Sequence, residues 1–119
     1  MANSGKITMY TKPTCSTCRK ADQILKESGQ EYDKIEYYVT PLRSAKIREL
    51  LKKMGIAAND LVRKKDGIYK ELGLHEGEHT EEELIELMAK YPDLIQRPIV
   101  ERGDKAVLGR PVEAIRELL

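Results

Sequence analysis

The sequence contains no tryptophan and no phenylalanine, and it has no long hydrophobic run. The core must therefore be built from aliphatic side chains, and we expect the six tyrosines to lie at its margins. No apolar stretch approaches the ~18 residues that a membrane span requires. The N-terminal residues also lack the basic and then apolar segments of a secretory signal. These absences predict a cytoplasmic protein that does not associate with a membrane.

A large excess of charge of either sign is missing too, because the formal net charge is +1 with 34% of the residues charged. A surface of mixed charge gives no signal for binding polyanions, so we expect no nucleic-acid partner. At 119 residues the chain has the length of one domain, residues 1–119. A domain of this size buries roughly two-thirds of its surface.

Cysteine is scarce as well, because the chain has only Cys15 and Cys18. Two cysteines without an export signal indicate a reducing compartment and a redox or metal role, not a disulfide scaffold. The only histidines, His75 and His79, flank Gly77 in a polar stretch that has no apolar setting to order them. A structural zinc site needs four ordered ligands, so we predict no metal site and no bound cofactor.

Both cysteines lie in one stretch, Lys12–Arg19, between a strand and a helix. The preceding segment, Lys6–Tyr10, is rich in β-forming residues, and the following helix has an apolar face of Ala21, Ile24 and Leu25. Cys15 is thus expected at a helix N-terminus, where free N–H groups and the helix dipole stabilise a thiolate. Arg19 adds positive charge there. We predict a nucleophilic Cys15 with a depressed pKa; the alternative is a pair of small buried apolar residues.

A second strand is expected over Glu31–Tyr38, which completes a βαβ unit with parallel strands and a right-handed crossover. A helical region follows at about residues 43–92. Ser44 is expected to cap its first helix, and Thr80 with Glu83 forms a capping box ahead of its last. Short helical or turn pieces are expected between these helices, over residues 59–67 and 69–74.

The last third of the chain changes to the pattern of strands. Ile95–Glu101 leads into a strand, the tripeptide at residues 102–104 forms a turn, and Lys105–Leu108 forms a second strand. Such a pair predicts an antiparallel hairpin. Pro111 suits the first position of a final helix. The order is therefore β-α-β, a helical insertion, then β-β-α, and the fold class is α/β.

This order, together with the Cys15-x-x-Cys18 motif and Pro98 ahead of the third strand, resembles the thioredoxin fold. In that fold the proline bond before the third strand is usually cis and lies beside the nucleophilic cysteine. The resemblance implies a four-stranded mixed sheet with the helical insertion between the βαβ and ββα halves.

The insertion narrows the resemblance to the arsenate reductase family of the glutaredoxin-linked type and to the related Spx-type regulators. It extends along nearly the whole chain. Its most specific motifs are Cys15-x-x-Cys18-Arg19, Leu61-Val62-Arg63-Lys64, Tyr69-x-x-Leu72-Gly73-Leu74, Arg97-Pro98-Ile99-Val100 and Gly109-Arg110-Pro111.

The resemblance implies that Cys15 attacks the arsenic of arsenate and forms a covalent adduct. A second thiol then reduces the adduct and arsenite leaves. That thiol is either Cys18 or an external reductant, which is thioredoxin or glutathione with glutaredoxin. The family's three oxyanion-binding arginines fall on Arg63, Arg97 and Arg110, while Arg19 and Pro98 are expected to contact the substrate.

Arginine suits this chemistry because it stays charged and offers paired, planar N–H donors to the oxygens of a tetrahedral dianion. Thr11 and Lys12 stand where the glutathione-using branch of the family often has His-Asn before the proline. We therefore expect the helix terminus, Arg19 and Lys12 to stabilise the Cys15 thiolate.

Two other functions compete with arsenate reduction. One is an Spx-like regulator that binds RNA polymerase and senses oxidation through Cys15 and Cys18, because Spx-type proteins carry this cysteine pair as a redox switch. The other is a disulfide reductase of the glutaredoxin type. A regulator needs no cluster of oxyanion-binding arginines, so the presence of all three arginines favours the enzyme.

Overall fold

Residues 5–65 and 67–119 are described by a computed structural model of the chain. The segment judged to lack a secretory signal falls largely outside these residues, as does Asp66 within the piece predicted over residues 59–67. The described residues form two compact units. The first contains residues 5–40 and Arg97–Leu119, and the second contains Pro41–Gln96. The prediction of one domain with an insertion at about residues 43–92 stays a prediction.

The first unit is built on a four-stranded sheet in the order β2-β1-β3-β4. Its strands are β1 (Ile7–Thr11), β2 (Tyr32–Glu36), β3 (Ile99–Arg102) and β4 (Lys105–Leu108). β1 pairs in parallel with β2, whereas β1 with β3 and β3 with β4 are antiparallel. The predicted mixed sheet is thus confirmed.

The core of this unit lies on one face of the sheet, against helix α1 (Ser16–Glu27) and a 3₁₀ helix (Val112–Leu118). Its buried members are Ile7, Met9, Ala21, Ile24, Leu25, Val100, Ile115 and Leu118. The face predicted for α1 is therefore the one that is buried, because its apolar residues recur at the period of the helix.

Two of the six tyrosines lie in the core and not at its margins. Tyr10 is 3% exposed and Tyr37 is 1% exposed. The Tyr10 hydroxyl donates a hydrogen bond of 2.7 Å to Oε1 of the buried Glu101. The expectation that all tyrosines lie at the margin was wrong, because a buried tyrosine is tolerated when its hydroxyl finds a polar partner.

The pairing of the strands brings four chain segments to one edge of the sheet. The last residue of β1, Thr11, pairs with the last residue of β2, Glu36. Ile99, which opens β3, pairs with Tyr10 on one side and with Leu108, the last residue of β4, on the other. The segments after β1, β2 and β4 and the segment before β3 therefore meet at this edge, which we call the carboxyl edge.

The second unit is helical. It contains α2 (Ser44–Met54), α3 (Ala58–Leu61), α4 (Gly67–Glu71), α5 (Glu81–Lys90) and a 3₁₀ helix (Pro92–Leu94). The predicted capping box is present, because Thr80 Oγ1 accepts from the N–H of Glu83 and the Glu83 carboxylate accepts from the N–H of Thr80. None of the helices in the described part of the chain is long and apolar enough to cross a membrane.

Two local predictions were wrong, and they concern the cap of α2 and the type of the final helix. Arg43, with extended backbone angles, occupies the N-cap position of α2, so Ser44 is the first helical residue and not the cap. The prediction that Pro98 lies just ahead of the third strand is confirmed, because β3 begins at Ile99. The final helix is a 3₁₀ helix that begins after Pro111. Its apolar residues recur every third position, which matches three residues per turn.

Candidate active site

Cys15 lies at the carboxyl edge as the N-cap residue of α1. Its Sγ accepts a hydrogen bond from the backbone N–H of Cys18, with an N···S distance of 3.4 Å. Its own N–H donates to the Lys12 carbonyl at 3.0 Å, which closes a turn between β1 and α1. The thiol is half-buried, so small molecules can reach it. The predicted helix N-terminus at Cys15 is therefore present.

The surroundings of Cys15 favour its thiolate. Burial raises the pKa of the Cys15 thiol. Hydrogen bonds from the thiol and the backbone N–H of Cys18, and the hydrogen bond and positive charge of Arg97, outweigh burial and hold the pKa of Cys15 below its ordinary value. The partners differ from those expected, because the Arg19 guanidinium donates to the Pro13 carbonyl at 3.3 Å instead.

Cys18 has the opposite character. It is only 2% exposed, and burial raises the pKa of its thiol, as does the neighbouring Cys15. Hydrogen bonds from the Lys12 backbone and the Thr11 hydroxyl act against this increase but do not cancel it. Both cysteines are free. A half-buried thiol with a lowered pKa therefore lies next to a buried thiol with a raised pKa.

The first prediction concerns the order of reactivity. Iodoacetamide reacts with thiolates, so the alkylation rate of Cys15 should reach half its maximum at a pH below the ~8.5 of a free thiol. Above its pKa the rate should level off, because Cys15 is then fully ionised. Peptide mass spectrometry assigns the label, and Cys18 should react later and at higher pH. A Cys15 midpoint at or above that of a free thiol would contradict the assignment.

Arg97 lies two residues before β3 at the same edge, and the Arg97–Pro98 peptide bond is cis, as expected at this position. The residue is only 7% exposed. Its Nε and Nη1 atoms are buried, and neither has a hydrogen-bond partner among the described residues. A buried charge with open donors is costly unless an anion or another acceptor satisfies it. Arg97 is therefore suited to hold an oxyanion beside Cys15.

Arg110 follows β4 and reaches both residues. Its Nη2 lies 4.0 Å from Cys15 Sγ, and its Nε donates to the Arg97 carbonyl at 2.9 Å. A further hydrogen bond joins the same two segments, from the N–H of Gly109 to the Pro98 carbonyl at 2.8 Å. A Cβ at Gly109 would lie 2.9 Å from Pro98 Cγ, so the close approach requires glycine. The structure thus brings Cys15, Arg97 and Arg110 together.

The remaining predicted site residues have other surroundings. Arg63 belongs to the second unit, where its N–H donates to the Leu94 carbonyl at 2.7 Å. Its role beside Cys15 stays a prediction. Arg19 is exposed, and Pro98 is buried against Gly109. The Lys12 ammonium lies 4.4 Å from the centre of the Tyr38 ring.

Sequence reasoning missed Tyr37. It lies in the turn that follows β2, so it reaches the carboxyl edge where Cys15 and Arg97 lie. The sequence contained a signal for this position, because the two parallel strands of a βαβ unit end at the same edge of the sheet. Residues that follow the second strand are therefore expected near Cys15. Within the described ranges, no group of three His, Cys, Asp or Glu residues is placed to hold a metal ion.

The carboxyl edge of the mixed sheet thus carries a thiol with a lowered pKa and two arginines. Residues 10–118 match the ArsC family, and the chain belongs to that family. This confirms the resemblance on which the sequence analysis relied.

Three similar proteins define the relationship. The chain is 40% identical over 115 residues to the uncharacterized protein YfgD of Escherichia coli K12, covering 96% of this chain and 97% of YfgD. It is 40% identical to the arsenate reductase of Yersinia enterocolitica, covering 95% and 80% of the two chains. The structure of an arsenate reductase from Vibrio cholerae superposes with a TM-score of 0.91 at 31% identity, covering 98% of this chain and all of that one.

These similarities confirm the thioredoxin-like fold and support the assignment of the chain to the oxidoreductases, since relatives bear an enzyme name.

Proposed function

We propose that this protein reduces arsenate to arsenite with Cys15 as the nucleophile. The observation that carries the proposal is the buried Arg97 next to a thiol of lowered pKa, because Arg97 Nε and Nη1 have no hydrogen-bond partner among the described residues. Arg110 adds a second guanidinium, 4.0 Å from Cys15 Sγ. Relatives named arsenate reductase indicate which oxyanion such a site takes.

The reaction proceeds in two steps. The Cys15 thiolate attacks arsenic, an S–As bond forms, and one arsenate oxygen leaves as water after protonation. A second thiolate then attacks Cys15 Sγ, so that an S–S bond forms and the S–As bond breaks. Its electron pair stays on arsenic, which leaves as arsenite. Two thiols become one disulfide while arsenic gains two electrons.

The arginines stabilise the negative charge of arsenate and of the transition state. Arsenate is an anion that repels an approaching thiolate, and donors placed where charge develops lower the barrier. Arg97 and Arg110 supply two such guanidinium groups in the first unit. We assign Arg63 the third oxyanion contact, and Arg19 and Pro98 supporting contacts with the substrate, as the family resemblance implies.

Cys18 supplies the second thiol in this proposal. It lies one helical turn from Cys15, which is within the span of a disulfide. The resulting disulfide requires an external reductant, either thioredoxin or glutathione with glutaredoxin. A free thiol pair of this kind persists in a reducing compartment, so we place the protein in the cytoplasm.

A single-turnover assay tests the function. Reduced protein mixed with arsenate, without other thiols, should lose two thiols and release one arsenite per molecule that reacts. The protein is then mixed with thioredoxin or with glutathione and glutaredoxin to identify the reductant. Disulfide reduction without any arsenate-dependent oxidation would instead indicate a reductase of the glutaredoxin type.

The second prediction tests whether Cys18 is the second thiol. After one turnover without added thiol, the wild type should be two mass units lighter than the reduced protein, because forming a disulfide removes two hydrogens. Cys18→Ser should lack this product and retain arsenic on Cys15. The serine hydroxyl can still donate a hydrogen bond to Cys15, so the first step is preserved.

A different role for Cys18 gives a different result. If Cys18 only packs in the core, Cys18→Ser should turn over normally with thioredoxin as the sole reductant. Thermal unfolding of both proteins provides the control, since the buried substitution changes packing as well as chemistry.

A further inference from the structure

Tyr37 is a buried tyrosine at the carboxyl edge to which the proposed arsenate reaction gives no role. It is 1% exposed and lies directly after the last residue of β2. Two backbone hydrogen bonds of 2.9 Å, from Val39 and Thr40 to the Glu36 carbonyl, fix the turn that carries it. Its ring also packs against Tyr38, with ring centres 5.0 Å apart. The turn and the ring contact therefore hold Tyr37 at the carboxyl edge.

The Arg97 guanidinium donates a hydrogen bond to the Tyr37 side chain. Burial lowers the pKa of Arg97, but interactions with Tyr37, Tyr38 and Cys15 outweigh burial and hold the pKa above its ordinary value. Arg97 in turn has a hydrogen bond to Cys15. One chain of contacts therefore runs from Tyr37 through Arg97 to the reactive sulfur.

We propose that Tyr37 is a positioning residue, whose hydroxyl fixes the Arg97 guanidinium so that its open donors face the oxyanion and the Cys15 thiolate. The inference rests on the proposed function, because it assumes that Arg97 binds the substrate. Tyr37 is not one of the cysteines and arginines that the sequence motifs single out.

The physical need for such a residue follows from the side chain of arginine. Arg97 has several rotatable bonds, and its Nε and Nη1 are left open, so these donors do not fix its orientation. The hydrogen bond from Arg110 Nε to the Arg97 carbonyl fixes the Arg97 backbone. It does not fix the orientation of the Arg97 guanidinium, so another group must do so. A buried tyrosine, rigid and with few rotamers, can do this at small entropic cost.

Tyr37→Phe tests the proposal because it removes only the hydroxyl. Without it, Arg97 should spend less time beside Cys15, so the midpoint of Cys15 alkylation should rise by about 0.5–1 pH unit. Inorganic phosphate, a tetrahedral oxyanion that does not oxidise thiols, should also protect Cys15 from alkylation about threefold to tenfold less well. Circular dichroism should show an unchanged fold.

Tyr10→Phe is the matched control. It also removes a buried hydroxyl, but that hydroxyl is bonded to Glu101. This variant should lose stability without changing the alkylation midpoint or the protection by phosphate. If Tyr10→Phe and Tyr37→Phe change both readouts equally, the effect is a general loss of packing and the proposal is overturned.

A double-mutant cycle with Arg97 decides whether Tyr37 acts through it. In an Arg97→Ala background, Tyr37→Phe should cause no further rise of the midpoint, because the group that it positions is gone. Additive effects would show that Tyr37 acts on Cys15 or on the anion directly and would overturn the positioning role.

The two hypotheses can fail separately. Alkylation and phosphate protection are measured without arsenate, so they report on Tyr37 even if the wild type does not reduce arsenate. Normal arsenate reduction with an unaffected Tyr37→Phe would overturn the positioning role alone. Absence of arsenate reduction, with the Tyr37 effects intact, would leave an oxyanion site of another function.

Discussion

Replacing Cys15 by serine should lower arsenate-dependent thiol oxidation by about 10³-fold or more. The serine hydroxyl is not ionised near neutral pH, and its oxygen cannot form the disulfide that carries the electrons away from arsenic. The substitution changes one half-buried atom at the start of α1, so the fold should remain. Arsenite release, measured in the presence of excess thioredoxin or glutathione, checks the prediction.

The Cys18→Ser variant is the control for this experiment, because it also removes one of the two thiols. With an external thiol available, it should retain more activity than Cys15→Ser, since the nucleophile is intact. Activity of Cys15→Ser equal to that of the wild type would mean that another group attacks arsenic, and the proposed mechanism would then be wrong.

Replacing Arg97 by alanine should lower kcat/KM for arsenate by about 10²–10³-fold, the loss typical when a preorganised donor to developing charge is removed. The same change should raise the pKa of Cys15, because the Arg97 hydrogen bond and charge are among the interactions that lower it. At a fixed neutral pH less thiolate would then be present. The pH profile of the reaction should therefore shift towards higher pH, which separates this effect from lost substrate binding.

Arg102→Ala provides a matched control in the same chain segment. Arg102 closes β3 at the end opposite to Arg97, where its guanidinium donates to the carbonyls of Gly5 at 3.1 Å and Leu118 at 2.8 Å. Its loss should lower thermal stability but leave kcat/KM and the pH profile unchanged. If Arg97→Ala behaves in the same way as Arg102→Ala, the oxyanion role assigned to Arg97 is refuted.

The features that sequence reasoning predicted well depend on residues close together in the chain. The helix N-terminus at Cys15 follows from a β-forming segment that passes directly into an apolar helical pattern. The capping box of Thr80 and Glu83 depends on a spacing of three residues. Each of these is decided within about one turn of helix, so the local pattern is sufficient.

Other local predictions failed where two conformations share the same pattern. A three-residue apolar spacing fits the first turns of an α-helix, but over Val112–Leu118 it produced a 3₁₀ helix. Similarly, aromatic content alone did not show which tyrosines would find buried polar partners.

By itself, the sequence determined that Cys15 begins a helix and that Cys18 lies one turn further on. It also determined, through its family motifs, which arginines to consider. Only the tertiary structure decided that Arg97 and Arg110 lie beside Cys15 and that Tyr37 reaches Arg97. The reason is that these contacts depend on strand pairing between distant segments, since Tyr10 pairs with Ile99 and Ile99 with Leu108. Such pairing is set by the packing of the whole sheet and not by the periodicity of any one segment.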